Sequence, residues 1–339
     1  MNWQEVIDKF PEANFLQSPE CGKMHELLGE KVIIENYGKD GKEGHALMVV
    51  RNAKRGRYLE IACGPLIDWQ DKRIVDEALS KIRLVAKREK CVFVRMRPQL
   101  RASKQNCGIL EKNGLRKSPM HLAAEHTVMI DLTRDEEKML ADMRRQTRYD
   151  IRRAEKLGIT VERDNSEKIF KEFHKVQMAT AKRQGFVPPD LETLLAEREA
   201  FGENIWIYVA KTPEKCPKEA PSVFPKSAPI AYGLVIRDGE EGDYYEAAST
   251  ELNHKLPGAY ALLWQAMKDL KAEGCQRFNL WGIAPAGQPH HRYAGVTTFK
   301  TGFGGEIVEY VPAHDLVISK IKYLKNLAVE TARKKKRHL

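Results

Sequence analysis

The chain has 339 residues, of which 42% are hydrophobic and 31% charged, the balance of a globular protein with room for about two domains. No stretch reaches the ~18 apolar residues of a membrane span, the N-terminus lacks a signal-peptide pattern, and the six cysteines form no C-x-x-C pair, so we expect a cytoplasmic protein without disulfides or zinc. The net charge of +10 favours a polyanionic partner such as nucleic acid, a nucleotide diphosphate or an anionic membrane face, although solubility alone would also explain it.

Helices and strands alternate through the first part of the chain. Apolar residues at helical spacing predict helices over 3–10 and 74–85. Runs rich in β-branched residues predict strands over 31–37, 46–50, 58–63 and 91–97. This order indicates an α/β fold.

A basic helix follows, with the sequence MRRQTRYDIRRAEKLG. Arg144, Arg148 and Arg152 fall on one face of it, and Gly158 ends it. Few acidic residues neutralise this face, so a phosphate-binding surface and a merely solvated helix are about equally supported.

The rest of the chain predicts a second set of alternating elements. A proline-rich connection, 213–229, reads as an exposed loop, because its prolines exclude a regular element. The other expected elements are a helix over 166–185, strands over 205–210, 230–236, 244–248 and 278–283, a helix that carries Leu263, Met267 and Leu270, and a basic amphipathic helix over 316–339.

Two segments repeat the same order of features. Residues 58–91 and 245–275 each contain a strand, a loop, a helix and the entry to a second strand. The motifs K-N-G-L and K-T-G-F follow them, and HTVMIDL resembles the later HDLVI. We therefore predict two copies of one α/β unit. The predicted subdomains are 1–152, completed by 316–339, and 153–315.

The βαβ unit near the C-terminus, followed by a helix and a K-x-G-F turn, has the layout of the GNAT acyltransferase fold. In that fold the pyrophosphate of acyl-CoA requires an [RQ]-x-x-G-x-[GA] loop at the start of the central helix, where backbone N–H groups bind anions. Residues 255–260 read K-L-P-G-A-Y, with a bulky Tyr260 where a small residue is needed. The fold favours acyl transfer, while this loop argues against coenzyme A as the donor.

Further motifs give a more specific resemblance. The most specific are P-G-A-Y-A-L-L-W-Q-A and F-K-T-G-F-G-G with E-Y-V-P-A-H-D-L-V-I, and the others are FLQSPE, RYLEIACGPLID, RYDIRRAEKLGI and AKRQGF. Together they span nearly the whole chain and resemble the Fem family (FemA, FemB, FemX), peptidyltransferases that use aminoacyl-tRNA to extend peptidoglycan precursors. The resemblance implies two GNAT-like (acyl-CoA N-acyltransferase-like) subdomains and, since no coiled-coil arm is present, the short FemX-like form.

The resemblance also implies a reaction, in which an amine of the precursor's stem peptide attacks the ester carbonyl of aminoacyl-tRNA. Lys300 beside Phe299 matches the family's catalytic lysine, and a fixed ammonium would stabilise the oxyanion that forms. No general base is evident. Of the nearby acids, Glu306 and Asp315, the second better suits a structural role.

Acceptor binding is implied for a second group of residues. Arg183 in AKRQGF matches a substrate-binding arginine, and Tyr244 or Tyr245 stands where the family has a substrate-contacting tyrosine. In the basic helix, Arg148 and Arg152 are candidates for a phosphate of the precursor or of the tRNA acceptor end.

The expected partners are aminoacyl-tRNA as co-substrate and either UDP-MurNAc-peptide or lipid II as acceptor, with no cofactor and no metal. Peripheral contact with the inner membrane face is compatible with the charge, and nothing in the sequence indicates an oligomeric state. One alternative keeps the fold but uses acyl-CoA as donor. Another is a basic RNA-binding module, for which the sequence lacks surface aromatics arranged for base stacking.

Overall fold

The computed structural model describes residues 3–54, 56–214, 225–288 and 291–337. The middle of the proline-rich connection, 215–224, where the exposed loop is expected, lies outside the described residues. The chain divides into two compact units, which are Met1–Glu125 with Glu309–Leu339, and His126–Val308.

The helices, within the described residues, are α1 (Trp3–Ile7), α2 (Pro19–Leu27), α3 (Lys72–Arg88), α4 (Lys104–Lys112), α5 (Glu136–Asp142), α6 (Arg145–Lys156), α7 (Glu167–Gln184), α8 (Leu191–Phe201), α9 (Gly258–Ala272), α10 (Ala294–Thr301) and α11 (Lys320–Arg337). Short 3-10 turns lie at Phe15–Gln17, Lys39–Gly41, Gly202–Asn204 and Glu251–His254. None of these helices combines the length and the apolar character that a bilayer crossing demands.

The strands are β1 (Lys31–Tyr37), β2 (Gly44–Ala53), β3 (Gly56–Cys63), β4 (Leu66–Ile67), β5 (Phe93–Pro98), β6 (Leu115–Lys117), β7 (His126–Asp131), β8 (Thr160–Asp164), β9 (Ile205–Lys211), β10 (Pro229–Asp238), β11 (Glu241–Ser249), β12 (Arg277–Asn279), β13 (Glu306–Glu309) and β14 (His314–Val317).

The first unit is built on a sheet with the order β1-β2-β3-β5-β14-β6, and β4 pairs with β2. Strands β3 and β5 are parallel, so they need a crossover, which α3 supplies. The Asp71 side chain caps the start of α3 by accepting from the backbone N–H groups of Arg73 and Ile74. The predicted apolar face of α3 is buried in the core of this unit, as the spacing of Ile74, Ala78 and Ile82 requires.

The second unit is built on a sheet with the order β13-β7-β12-β11-β10-β9-β8. Here β11 and β12 are the parallel pair, and α9 is the crossover. Leu263, Met267 and Leu270 of α9 are fully buried in the core, which confirms the predicted amphipathic helix.

The two units share one strand arrangement, which confirms the predicted repeat. In each, a parallel pair has an antiparallel strand beside it, β14 next to β5 in the first unit and β7 next to β12 in the second. Because β7 pairs with β12, the boundary falls before His126 and not at the predicted 152/153. Because β14 pairs with β5 and β6, the C-terminal part of the first unit starts at Glu309 and not at 316.

Several elements differ from the sequence expectations. Residues 314–317 form strand β14, so the C-terminal helix begins at Lys320 and not at 316. Helices α2, α4, α5 and α8 were not predicted, and the strand expected over 278–283 ends at Asn279. The helix expected before the K-x-G-F turn is α10, which extends to Thr301 and so includes Lys300. The sequence of α10, AGVTTFKT, contains glycine and four β-branched residues, which are weak helix formers. Contacts of Arg144 with the Thr298 carbonyl and of Tyr260 with Phe299 hold this helix in place.

Candidate active site

Parallel strands β11 and β12 separate at one end, and the candidate site lies there. Their pairing stops at Asp243 opposite Asn279, although β11 runs on to Ser249. In α/β sheets the space beyond the carboxyl ends of parallel strands is the usual place for a ligand. Tyr244 and Tyr245 follow the last paired residue of β11, and Trp281 and Gly282 follow β12 closely.

Lys300, in the last turn of α10, reaches into this position. Its Nζ atom donates to the Gly282 carbonyl oxygen at 3.0 Å and lies 5.7 Å from the centroid of the Tyr244 ring. The side chain is 8% exposed, and within the described part of the chain it forms no ion pair. Burial lowers the pKa of the Lys300 ammonium from its usual value to about 7. The lysine is therefore a buried group that can be charged or neutral near neutral pH.

The two tyrosines occupy different environments. Tyr244 is buried beneath the Lys300 ammonium, and burial raises the pKa of its phenol. Tyr245 is half-buried and meets Trp281 edge-on, with ring centroids 5.3 Å apart. Tyr245 is the extra residue of a bulge in β11, because Tyr244 pairs with Val235 of β10 and Glu246 pairs with the adjacent Leu234. The structure thus places Tyr244 against the lysine and Tyr245 against the tryptophan.

Trp281 adopts a backbone conformation that bulky residues rarely take, with φ of 59°. Its N–H donates to the Asn279 side-chain oxygen at 3.0 Å, and the buried Thr127 hydroxyl donates to the same oxygen. This bend aims the Gly282 carbonyl at Lys300. Strained residues cluster at functional sites, which adds Trp281 and Gly282 to the candidate site. The sequence did not indicate this role of Trp281, since propensity carries no signal for such a bend.

Phe299, beside Lys300, belongs to an aromatic cluster. Its ring packs edge-on against Tyr260 and Phe303, with centroids 5.0 and 5.4 Å apart, and Tyr260 stacks on Phe303. The cluster fixes the last turn of α10 against the first turn of α9. Phe299 therefore contributes packing that positions the neighbouring lysine.

The start of α9 is not arranged for a pyrophosphate. The Gly258 N–H donates to the Leu256 carbonyl at 2.9 Å, and the Ala259 N–H donates to the Asn253 side chain at 3.1 Å. A Cβ at Gly258 would lie 2.5 Å from Ile230, so packing on β10 explains this glycine. Two of the N–H groups that would face acyl-CoA, those of Gly258 and Ala259, thus already have partners within the chain, which supports the sequence argument against that donor.

The glycine-rich turn after Lys300 is explained by close backbone approaches. A Cβ at Gly302 would lie 2.4 Å from the Arg144 guanidinium and 2.5 Å from the Thr147 hydroxyl. The Arg144 N–H donates to the Gly302 carbonyl at 2.9 Å, and its guanidinium donates to the Thr298 carbonyl. Gly305, with φ of 82°, passes close to the Met129 carbonyl. The start of α6 therefore supports the helix that carries Lys300.

The predicted arginines of α6 differ in their contacts and in their exposure. The Arg148 guanidinium donates to the Ala141 and Met143 carbonyls at the end of α5. Arg152 is exposed. It shares an exposed stripe of α6, three or four residues apart along the helix, with Arg145, Tyr149 and Lys156. Tyr149 is 58% exposed, so this surface holds an aromatic ring among cations, which the sequence pattern did not reveal.

Arg183 lies at the end of α7. Its guanidinium donates to the Ser249 carbonyl, the last residue of β11, at 2.6 Å, and the side chain remains exposed. Arg183 is thereby fixed near the carboxyl end of the strand that carries both tyrosines. No described hydrogen bond or ion pair joins Arg183, Arg148 or Arg152 to Lys300.

The acids named from the sequence do not lie against Lys300. Asp315 is fully buried in the first unit, where it accepts from the Arg95 guanidinium at 2.8 and 2.9 Å, a structural ion pair. Glu306 lies on β13. The second unit also holds a carboxyl pair that the sequence did not reveal, Glu197 on α8 and Glu246 on β11. Burial raises the pKa of both carboxyl groups, and Gln177 donates to Glu246.

No group of three or more His, Cys, Asp or Glu side chains in the described ranges is arranged to hold a metal ion. The groups that the structure brings together at the candidate site are Lys300, the backbone carbonyl that it meets and the aromatic rings around it. A buried ammonium of this kind can donate to an anion that forms next to it.

Comparisons with known proteins show the family and the fold of this chain. A model of the FemAB family matches residues 2–117, 113–216 and 211–331, which is nearly the whole chain. A relative from Staphylococcus aureus (strain USA300), lipid II:glycine glycyltransferase, is 22% identical over 387 aligned positions that cover 94% of this chain and 91% of the relative.

Two solved structures resemble the fold. The crystal structure of FemX superposes with a TM-score of 0.83 at 16% identity, covering 96% of this chain and 98% of FemX. A tandem GNAT protein from the clavulanic acid biosynthesis pathway gives a TM-score of 0.51 at 10% identity, covering 83% and 81%. These likenesses establish an α/β fold of two GNAT-like subdomains, with no coiled-coil arm among the residues that the structure describes. By the family match, this chain belongs to the FemAB family and is an aminoacyltransferase.

Proposed function

We propose that this protein transfers an amino acid from aminoacyl-tRNA to the stem peptide of a peptidoglycan precursor. The observation that carries the proposal is Lys300, a lysine buried without a carboxylate partner in the described ranges, beyond the carboxyl ends of β11 and β12. Burying an unpaired cation costs stability, and such groups occur mainly where the charge has a chemical task. The staphylococcal relative is named for glycine transfer to lipid II, which supports the acceptor class.

In the proposed reaction the stem-peptide amine forms a bond to the carbonyl carbon of the aminoacyl ester. The carbonyl oxygen becomes an oxyanion, which receives a hydrogen bond from the Lys300 ammonium. Collapse of this intermediate re-forms the carbonyl and breaks the bond to the tRNA 3′ oxygen, which takes up the proton that the amine loses. The products are an amide and a free tRNA 3′ end.

The lowered pKa of Lys300 suits this step. A negative charge next to an ammonium raises the pKa of that ammonium, so the forming oxyanion holds the proton on Lys300 more tightly than the neutral ester does. The interaction is therefore stronger in the transition state than in the ground state, which is the condition for acceleration. The Gly282 carbonyl and the Tyr244 ring keep the ammonium oriented without neutralising it.

We assign docking of the tRNA acceptor end to the exposed stripe of α6. Arg145, Arg152 and Lys156 supply positive charge for phosphates, and Tyr149 supplies a ring for stacking against an unpaired base. Arg144 links the start of this helix to α10, which ties the stripe to the lysine's own helix. Binding of tRNA should weaken as salt concentration rises.

We assign acceptor recognition to Arg183 and Tyr245. Arg183 is exposed but held by the Ser249 carbonyl, so it can present its remaining donors to a diphosphate or carboxylate. Tyr245 lies on β11, the strand that ends at Ser249, with its ring against Trp281. Since charged tRNA and precursor peptides are cytoplasmic, we place the reaction on that side of the membrane.

The test incubates the purified protein with a pool of charged tRNAs and either UDP-MurNAc-pentapeptide or lipid II, followed by mass spectrometry of the acceptor. We expect a mass increase of one or more amino-acid residues that requires charged tRNA. A parallel reaction contains acetyl-CoA instead. Acetylation of the acceptor, or no mass change with either acceptor, would overturn the proposal.

A further inference from the structure

The C-terminal helix α11 carries apolar side chains on the face that points away from its own unit. Ile321 is 76% exposed and Leu324 is 57% exposed, whereas large aliphatic side chains usually lie in a core. Val329 is also exposed. These residues continue along the helix with Ala328 and Ala332, both exposed, at spacings that form one stripe.

The opposite face of α11 fixes this orientation. The Tyr323 hydroxyl donates to the buried Asp315 carboxylate at 3.0 Å, and Arg95 donates to Glu330 two helical turns later at 2.8 Å. The Tyr323 ring packs edge-on against Phe93, with centroids 5.6 Å apart. Because the inner face is held at two levels, the helix cannot rotate to bury its apolar stripe, and the stripe stays available to a partner.

Positive charge surrounds the stripe. The cations among the described side chains of α11 are Lys320, Lys322, Lys325, Arg333 and Lys334. The acid among them is Glu330, which is already engaged with Arg95 on the inner face. The sequence then continues with Lys335, Lys336 and Arg337. The outer surface of α11 is thus basic and apolar together.

A surface of this composition matches an anionic lipid bilayer. Aliphatic side chains enter the boundary between headgroups and acyl chains, and lysines beside them extend their ammonium groups to the phosphates. RNA is a poorer match, because its recognition uses stacking on aromatic rings, and the outer face of α11 has aliphatic residues in their place.

We propose that α11 docks the protein on an anionic membrane surface, with Ile321 and Leu324 inserted and the surrounding lysines on lipid phosphates. The inference adds a partner to the proposed function and relies on it only for the benefit of such docking, which is access to a lipid-linked acceptor. Docking itself needs neither substrate, so it is measurable even if the proposed reaction is wrong.

The experiment measures flotation of the full-length protein with vesicles of phosphatidylglycerol and phosphatidylcholine in equal parts, and with vesicles of phosphatidylcholine alone. We expect binding to the anionic vesicles that decreases with salt. The double variant Ile321→Glu/Leu324→Glu should lower that binding at least ten-fold. The control is Leu84→Glu, which changes a residue that is 66% exposed on helix α3 and should leave binding unchanged.

A second variant guards against misfolding, since Lys322→Glu/Lys325→Glu keeps the apolar stripe and should also weaken binding to anionic vesicles. Unchanged flotation of both double variants would overturn the proposal. The proposal would also be overturned if both double variants lost tRNA binding in a gel-shift assay and kept vesicle binding, because α11 would then be an RNA-binding surface. With the reaction established, the apolar double variant should lose transfer to vesicle-borne lipid II while it keeps transfer to the soluble UDP-linked acceptor.

Discussion

The Lys300 ammonium lies over the ring of Tyr244, with 5.7 Å between Nζ and the ring centroid. An aromatic face attracts a cation without taking its proton or cancelling its charge, whereas a carboxylate would form an ion pair and raise the pKa of the lysine. The pairing therefore keeps the lysine buried, oriented and low in pKa. The Lys300 ammonium has no carboxylate partner among the described residues, so it can pair with a negative charge that forms on the substrate.

This burial should cost stability, and the cost should depend on pH. The native pKa of Lys300 is lowered to about 7, so above that pH the unfolded chain holds one proton more than the native protein, and stability should rise from pH 7 towards pH 10. Replacement of Lys300 by Met should remove this rise. At pH 6.5 the variant should be more stable than wild type by several kcal/mol, on the order of 5 at most.

Urea unfolding at pH 6.5 and pH 9.5 measures this effect. Lys175→Met, at an exposed position of α7, is the control and should leave the pH dependence as in wild type. A Lys300→Met protein that is less stable than wild type at pH 6.5 would show that the lysine contributes to folding and is not a cost.

Gly302 should be needed for the position of α10. Replacement by Ala puts a Cβ within 2.5 Å of the Arg144 guanidinium and the Thr147 hydroxyl, so either α10 shifts or these side chains leave the positions that support it. We expect a loss of about 1–3 kcal/mol in the free energy of unfolding and a large loss of transfer rate. Gly295→Ala is the matched control in the same helix. Its Cβ meets nothing within 4 Å, and it should stabilise the protein by about 0.5–1 kcal/mol. Equal behaviour of the two variants would contradict the packing account.

Arg183 should act in acceptor binding and not in the chemical step. Loss of a charge-assisted hydrogen bond costs about 1.5–3 kcal/mol, so Arg183→Ala should raise KM for the acceptor roughly ten- to a hundred-fold with a smaller change in kcat. Lys182→Ala removes an exposed cation next to it and should have little effect. Steady-state kinetics with varied acceptor distinguishes these outcomes. An unchanged KM for Arg183→Ala would exclude the arginine from the acceptor site.

The buried carboxyl pair should make stability fall at high pH. Burial raises the pKa of Glu197 above its unfolded value, so the native protein binds more protons than the unfolded chain between these two pKa values. Stability is therefore lost as pH rises through that window. Glu197→Gln should raise the melting temperature at pH 8 relative to wild type and have a smaller effect at pH 4.5, as calorimetry can measure. A variant destabilised at pH 8 would show that the ionised carboxylate is required.

Helical spacing predicted α3 and α9, and the repeat predicted two similar units, because a buried helix face leaves a strong periodic pattern. The position of Lys300 on a helix was not predictable in this way. Its sequence has weak helix formers, and contacts from Arg144 to the Thr298 carbonyl and of Phe299 with Tyr260 hold the helix.

The residues that surround Lys300 could not be predicted from the sequence either. The bend at Trp281 depends on the hydrogen bond that its backbone N–H donates to the Asn279 side-chain oxygen, and no single-residue preference favours φ of 59° in a tryptophan. The family motif indicated which lysine to examine. Only the fold shows that the lysine is buried against Tyr244 and the Gly282 carbonyl.

The measurement that bears most directly on the role of Lys300 is single-turnover transfer from labelled aminoacyl-tRNA by wild type and Lys300→Met, with acceptor affinity measured in parallel. Loss of one oxyanion-stabilising group should lower the rate about 10²- to 10³-fold, while the acceptor binds nearly as before. Transfer by Lys300→Met at the wild-type rate would contradict the assignment of this lysine to the chemical step.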